Sequence, residues 1–399
     1  MELRKLLAHC RSDLPCTMNL IREGVEIESP TNSRPDIDRL ARFFAREFRR
    51  HHGKVSMLDN PATGPGLVAE FWGAQRVGAS RQMPSRPDKG KSKLPDPQKP
   101  ILLIGHLDTV WPKGTLARMP FRIRGGRAYG PGVLDMKSGI VLGLAAIRSL
   151  QALGIEPSSS VRFFLNPEEE TGSQTFRREI EREARGARAV LVLEPAAEGG
   201  ALKTARKGVG EFCITVHGRS AHAGINPGAG INAIGELARQ ILQIEKLAEP
   251  RRGLTLNVGV IEGGTRTNVV PELARATMDV RISRHDDQAR IEKRIFGLKP
   301  VHPEARLEIE GRINRPPMER AMTAGLFGKA KALAGQLGFE IAETATGGGS
   351  DGNFSAALGI PTLDGLGGVG DGAHALHEHI IIRELPRCTT LLAALLATL

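Results

Sequence analysis

Cysteine is scarce in this chain. There are four in 399 residues (Cys10, Cys16, Cys213 and Cys388), and no two are spaced as C-x-x-C. So few thiols exclude a disulfide framework at this length and offer no thiolate pair for a metal knuckle or redox centre. They read as reduced thiols engaged mostly in packing. Aromatic residues make up 4% of the chain, with one Tyr and two Trp, which leaves little for nucleobases to stack on. No apolar run approaches the roughly 20 residues of a membrane span. The N-terminus, MELRKLLAHCRSDLPC, alternates charge with leucine and lacks the apolar core of a signal peptide. The expectation is a cytoplasmic protein that does not associate with membranes.

Acidic residues are also in deficit, 44 against 55 Lys and Arg, for a net charge of +11. Residues 74–100 hold much of that excess: Arg76, Arg81, Arg86, Lys89, Lys91, Lys93 and Lys99 against Asp88 and Asp96. The same stretch is rich in Pro, Ser and Gly, so it reads as a solvated or disordered insertion. A basic patch confined to such an insertion, without interleaved aromatics, does not predict a nucleic-acid partner. Apolar content of 40% and charged content of 25% are ordinary for a globular protein. The length favours two domains.

Helical spacing of Ile37, Leu40, Phe43, Phe44 and Phe48 predicts a first helix over 36–50. Segments 55–58 and 66–72 read as strands. Segments 101–104, 161–165 and 189–193 are short apolar runs bounded by turn residues, so they read as buried strands. An Ala/Leu/Ile-rich helix is expected over 138–150. This alternation marks a parallel-rich α/β layer. From about residue 208 the texture changes. Strands at 210–216, 254–261 and 274–282, with a helix over 230–247, suggest a β-α-β-β-α-β unit. A further helix (321–337) and a Gly-rich turn at 347–349 then resume the first texture. The predicted organisation is a catalytic α/β domain of residues 1–206 and 317–399, interrupted by an inserted domain of residues 207–316.

Candidate metal ligands sit past apolar runs in five separate stretches: His106 and Asp108 in ILLIGHLDTV, Asp135 in YGPGVLDMKSG, Glu169 and Glu170 in VRFFLNPEEETGS, Glu194 in AVLVLEPA, and His374 in GDGAHALHEHI. In open α/β sheets ligands bind beyond the carboxyl ends of the strands. Any one stretch alone has a bland reading: a capped strand end for GHxD, a solvated acidic loop for PEEE. Their conjunction in one α/β frame points to metal. The set is too large for a single zinc and suits two ions sharing a carboxylate. Oxygen and imidazole donors without thiolate suit zinc, with cobalt or manganese as substitutes. Strand alternation places His106 and Asp108 on the same side, where the Asp108 carboxylate can hold the second imidazole nitrogen. Asp135, after the turn Gly130-Pro131-Gly132, is the candidate bridge. Adjacent Glu169 and Glu170 project differently, so one can bind metal while the other serves as base. His377 and His379 are expected to lie outside the site.

Together with these stretches, GRSAHAGINPGAGINAI, GTRTNVVPE, MDVR and GGGSDGNF resemble the dizinc metallopeptidase and aminoacylase family, which includes glutamate carboxypeptidase, acetylornithine deacetylase and succinyl-diaminopimelate desuccinylase. The resemblance covers nearly the whole chain, in order. It implies a dizinc-exopeptidase-like catalytic domain with a mixed sheet and an inserted α+β, ferredoxin-like dimerisation or lid domain. By similarity, His106 and Glu194 bind one zinc, Glu170 and His374 the other, and Asp135 bridges. Asp108 supports His106, and Glu169 is the general base. His374, four positions before Glu378, is the preferred ligand in the tail, with His377 as the alternative. The resemblance also implies a cis peptide bond between Asp135 and Met136, and a homodimer in which His222 reaches the partner's site to polarise the scissile carbonyl. Asn268, Arg281, Arg315, Gly348, Gly349 and Ser350 match positions that hold the substrate's terminal groups. The runs SAHAGINPGAGINAI, GGGSD and LGIPTLDGLG are most similar to the glutamate carboxypeptidases. The leading expectation is therefore release of a C-terminal amino acid from a peptide or N-acyl substrate. The alternatives are an N-acyl amino acid deacylase and, from another class, a basic binding protein on an inactive hydrolase fold. The insertion at 74–100 departs from the family, whose members usually have a short hairpin there.

Overall fold

In a computed structural model, residues 2–73 and 99–399 of the chain are described. The basic stretch 74–100 lies outside the described residues except for Lys99 and Pro100. The chain divides into one unit of Met1–Thr204, Arg320–Ala345 and Ser350–Leu399, and a second of Ala205–Glu319 and Thr346–Gly349.

The first unit is built on a six-stranded mixed sheet in the order Lys54–Leu58, Gly66–Phe71, Val161–Asn166, Ile101–His106, Ala189–Val192, Thr362–Leu363. Ile101–His106 runs parallel to both neighbours, with Ile104 opposite Phe164 on one side and Val192 on the other. Three strands thus end at nearly the same level. Every residue of Ile101–His106 and of Ala189–Val192 is buried, which is why both read as unbroken apolar runs rather than alternating ones.

Helix Ser138–Ala152 is buried along Ser138–Leu150, as expected of a helix apolar on all sides. The C-terminal helix Leu385–Thr398 and the N-terminal helices pack on it. Two glycines let it approach the sheet. A Cβ on Gly139 would stand 2.0 Å from the Leu193 carbonyl oxygen, and one on Gly143 would stand 2.5 Å from the Phe163 ring. The segment before residue 34 forms two helices, Leu3–Ser12 and Leu14–Val25, so the helix at Arg34–Arg50 is the third and not the first. Leu3, Leu6 and Cys10, then Leu20, Ile21 and Val25, supply their buried faces. Pro15 lies in the first turn of the second helix, where a missing N–H costs nothing. Among the described residues, no helix is long and apolar enough to cross a membrane.

The second unit carries an antiparallel sheet in the order Thr255–Gly263, Leu273–Ile282, Gly208–His217, Arg306–Arg315. Helices Ala233–Glu245 and Asp286–Phe296 complete a β-α-β-β-α-β chain order. The strands alternate buried and exposed residues, the pattern of a sheet covered on one face. Phe212, Ile214, Val216, Met278 and Val280 pack there against Leu237, Ile244, Ile291 and Ile295.

Candidate metal centre

The level strand ends of the first unit deliver the acidic and imidazole side chains to one place. His106 closes its strand, and Glu194 follows Ala189–Val192 by two residues. Glu169 and Glu170 open a single helical turn, Glu169–Thr171, beyond Val161–Asn166. Asp135 follows Gly132, whose φ of 71° suits glycine, and the Asp135–Met136 peptide bond is cis. His374 sits in a loop with a φ of 62°, uncommon for a residue with a side chain.

Two ligand groups result. In one, single donor atoms of His106, Asp135 and Glu194 lie within 4.8 Å of one another. In the other, those of Asp135, Glu170 and His374 do. Asp135 belongs to both. Its Oδ1 is 3.2 Å from His106 Nε2 and its Oδ2 3.4 Å from His374 Nε2. Glu194 Oε1 is 3.6 Å from His106 Nε2, and Glu170 Oε2 is 3.3 Å from His374 Nε2. His377 belongs to neither group and lies 4.0 Å from Asp371. His379 has its Nδ1 on the His377 carbonyl at 2.9 Å.

Electrostatically the cluster is a cation site. Burial works against an imidazolium at His106, yet the bonds to Asp108 and Asp135 outweigh it and raise its pKa well above the usual value. Asp135 and Glu170 raise His374 to about 10. Burial alone would raise Asp135, but the two imidazoles hold it below the carboxylate range. Glu170 Oε1 is buried with no hydrogen-bond partner among the described residues, a costly condition for a carboxylate oxygen. The donors are oxygen and imidazole nitrogen, and each group has room for further ligands. These residues fit two divalent ions of the zinc kind.

Asp108 meets His106 Nδ1 with two oxygens. It is the Asp108 main-chain oxygen that lies 2.9 Å from His106 Nδ1; the carboxylate is 3.4 Å away. A carbonyl can only accept, so Nδ1 carries a proton, and Nε2 is the nitrogen turned to the cluster, where an ion in place of its proton would take the lone pair. The carboxylate also accepts from the Glu169 and Glu170 amides at 3.0 and 3.1 Å and from Thr31 Oγ1 at 2.9 Å. It fixes the turn that carries both glutamates. Glu169, buried, is in neither ligand group. Thr31 carried no signal in the sequence, since its partner is 77 residues away. Neither did the role of Glu378, visible only as a spacing from His374. Its buried carboxylate accepts from Trp111 Nε1 and from the Gly132, Leu134 and Asp135 amides. Lys137 beside it is fully buried, donates to the Ile27 carbonyl at 2.7 Å, and is brought down to about 7 by that burial.

The remaining expected site residues fall mainly in the second unit, in two places. His222 pairs with Val269 across a short ladder, and the Ala223 amide donates to the Asn268 carbonyl at 2.9 Å. His222 is exposed, and its Nδ1 accepts from the Gly224 and Ile225 amides, both at 3.1 Å. Elsewhere, Arg281 is held by Asp279 and donates to the Gly347 carbonyl at 3.3 Å. A Cβ on Gly349 would stand 3.2 Å from Arg315 Cδ, so that arginine packs on the glycine turn. Arg206, which the motifs did not single out, donates to the Gly348 and Gly349 carbonyls at 3.2 and 3.0 Å. Ser350 falls in the first unit, fully buried, with its hydroxyl donating to Asp364 at 2.6 Å. That bond occupies its hydroxyl proton.

Residues 102–398 match the peptidase family M20/M25/M40. Carboxypeptidase G2 of Pseudomonas sp. (strain RS-16) is 33% identical over 316 residues, 75% of this chain and 74% of the relative. Succinyl-diaminopimelate desuccinylase of Methylorubrum populi is 32% identical over 320 residues, 73% of this chain and 80% of the relative. The fold is similar to that of the Bacillus subtilis YXEP protein, described as a dinuclear metal-binding peptidase, with a TM-score of 0.66 at 16% identity over 97% of this chain and 98% of that one.

Proposed function

Because the chain belongs to the peptidase family M20/M25/M40, a family of hydrolases that cleave peptide and related amide bonds, we propose that it is a two-zinc carboxypeptidase that releases a C-terminal amino acid. The observation that carries the reading is the sharing of Asp135 between two ligand groups with Glu169 alongside but in neither. Ions held by His106, Glu194 and Asp135, and by Glu170, His374 and Asp135, would polarise the scissile carbonyl and lower the pKa of the attacking water. Glu169 takes the water's proton and returns it to the departing amine. Asp108 keeps that carboxylate in place through the amide of its own residue. Cobalt or manganese would serve the same donor set.

Residues 207–316 act in this reading as the dimerisation and lid domain, between the catalytic segments 1–206 and 317–399. His222 of the partner subunit donates to the developing oxyanion. Two amides already point at Nδ1, so a neutral His222 carries its proton on Nε2, the form such a donor requires. Asn268, Arg281 and Arg315, with the Gly348–Gly349 turn, receive the substrate's free carboxylate, for which a guanidinium offers paired donors; the buried Ser350, whose hydroxyl is engaged by Asp364, supports that turn from behind.

The likeness to a desuccinylase favours a second reading, hydrolysis of an N-acyl amino acid by the same machinery. A panel of dipeptides, N-acyl amino acids and N-succinyl diamino acids with added zinc separates the two. Carboxypeptidase action predicts release of the terminal amino acid from varied peptidyl groups, with glutamate among those favoured, and no cleavage of the matching C-terminal amides. Equal cleavage of acids and amides would overturn the carboxylate site, and turnover confined to N-acetyl or N-succinyl substrates would favour the second reading.

A further inference from the structure

Glu378 is buried at the junction of three loops that carry candidate ligands. Its Oε1 accepts from the Leu134 and Asp135 amides at 2.8 and 3.1 Å, and its Oε2 from the Gly132 amide and Trp111 Nε1 at 2.9 and 2.8 Å. Trp111 lies five residues past His106, and Glu378 itself lies four past His374. One carboxylate therefore ties the loop after His106, the loop that presents Asp135 and the loop of His374. Neither ligand group includes it. Charge-assisted bonds of this kind are shorter and stronger than neutral ones, and four of them on a single buried group leave it little freedom.

Two of the other ligands have supports of their own. His106 is oriented by the Asp108 carbonyl, and the Glu170 amide by the Asp108 carboxylate. Asp135 stands apart. The bonds to its own amide and to that of Leu134 go to Glu378, and its side chain is the one that belongs to both groups.

On the two-ion reading above, we infer that Glu378 is a positioning residue that fixes Asp135 between the two ion positions and so sets how both ions are held. The chemistry of the clamp makes a sharp test. Each oxygen of Glu378 faces two N–H donors, so a glutamine must turn its NH₂ toward two donors whichever way it lies. The loss is greater than that of one bond, because buried donors are left opposed. Trp111→Phe is milder, removing one of the four donors and leaving the three main-chain bonds.

The experiment titrates metal-free protein with cobalt(II), following stepwise affinity by calorimetry and coordination by visible absorption, with folding checked by circular dichroism. Wild type should take up two ions per chain. Glu378→Gln, folded, should bind them about 10- to 100-fold more weakly, the range found when partners of metal ligands are removed, with an altered cobalt spectrum. A residue that only supports the fold would lower the melting temperature and leave the spectrum unchanged. Trp111→Phe should weaken binding less, by a factor of about 10 or below, and it carries the test if Glu378→Gln does not fold. Wild-type affinity and spectrum in the folded variants would overturn the positioning role while leaving the two-ion reading intact. Uptake of a single ion by wild type would overturn both.

Discussion

Glu169 and Glu170 are neighbours whose amides bind the two oxygens of one carboxylate, Asp108, yet only Glu170 joins Asp135 and His374. Exchanging either for glutamine keeps size and separates two roles. Glu169→Gln should retain two metal ions per chain by elemental analysis and lose roughly 10²- to 10⁴-fold in kcat, the usual contribution of a general base. Glu170→Gln should lose metal as well. The opposite pattern would assign the base to Glu170. A chelator should abolish activity, with recovery on zinc or cobalt addition; full activity in protein proven free of metal would remove the ions from the reaction. His106, Glu170 and Glu194 are legible in the sequence because each follows a buried apolar strand within a few residues. What holds them is not. Thirty-one residues into the chain a threonine meets Asp108, and Glu378 reaches Gly132 across 246 residues, distances at which no local pattern exists. Strand alternation places the Asp108 carboxylate on the side of His106 but does not reveal that the main-chain oxygen of Asp108 lies nearer to Nδ1.

At the level of elements, the strands at Ile101–His106, Val161–Asn166 and Ala189–Val192 were legible because burial on both faces makes them short apolar runs between turns. The N-terminal helices were not. Leu3, Leu6 and Cys10 are interspersed with Arg4, Lys5 and His9, so a narrow buried stripe hides among charges. Close approach is another property that a sequence conceals. Gly139 and Gly367 flank the strand end that carries Glu194, and Cβ atoms there would stand 2.0 and 2.3 Å from the Leu193 carbonyl oxygen. Gly139→Ala should therefore push the helix Ser138–Ala152 off that strand end, costing about 1–3 kcal/mol as overpacking does. Thermal melts should record a lower Tm, and metal analysis a loss of the ion that the proposed reading assigns to His106 and Glu194. An unchanged Tm with full metal content would mean that helix and strand part without cost.

For the molecule as a whole, the proposed exchange of His222 between subunits can be read from mixtures. A Glu169→Gln dimer mixed with a His222→Ala dimer should form hybrids in which one intact metal site meets an intact His222 from its partner. Activity should then rise above either parent. No gain after subunit exchange proven by labelled chains would keep His222 in its own chain's site or outside catalysis. The order of segments along the chain also has a temporal side. The sheet and helices of residues 205–319 are contiguous, whereas the first unit waits for strand Thr362–Leu363, His374 and the helix Leu385–Thr398. A ribosome adding about 5–20 residues per second would release the inserted unit's strands several seconds before the last ligand emerges. Helix Ser138–Ala152 spends that interval without the cover of Leu385–Thr398, so this is the period in which a nascent chain would need a chaperone, and in which the proposed second ion position still lacks His374.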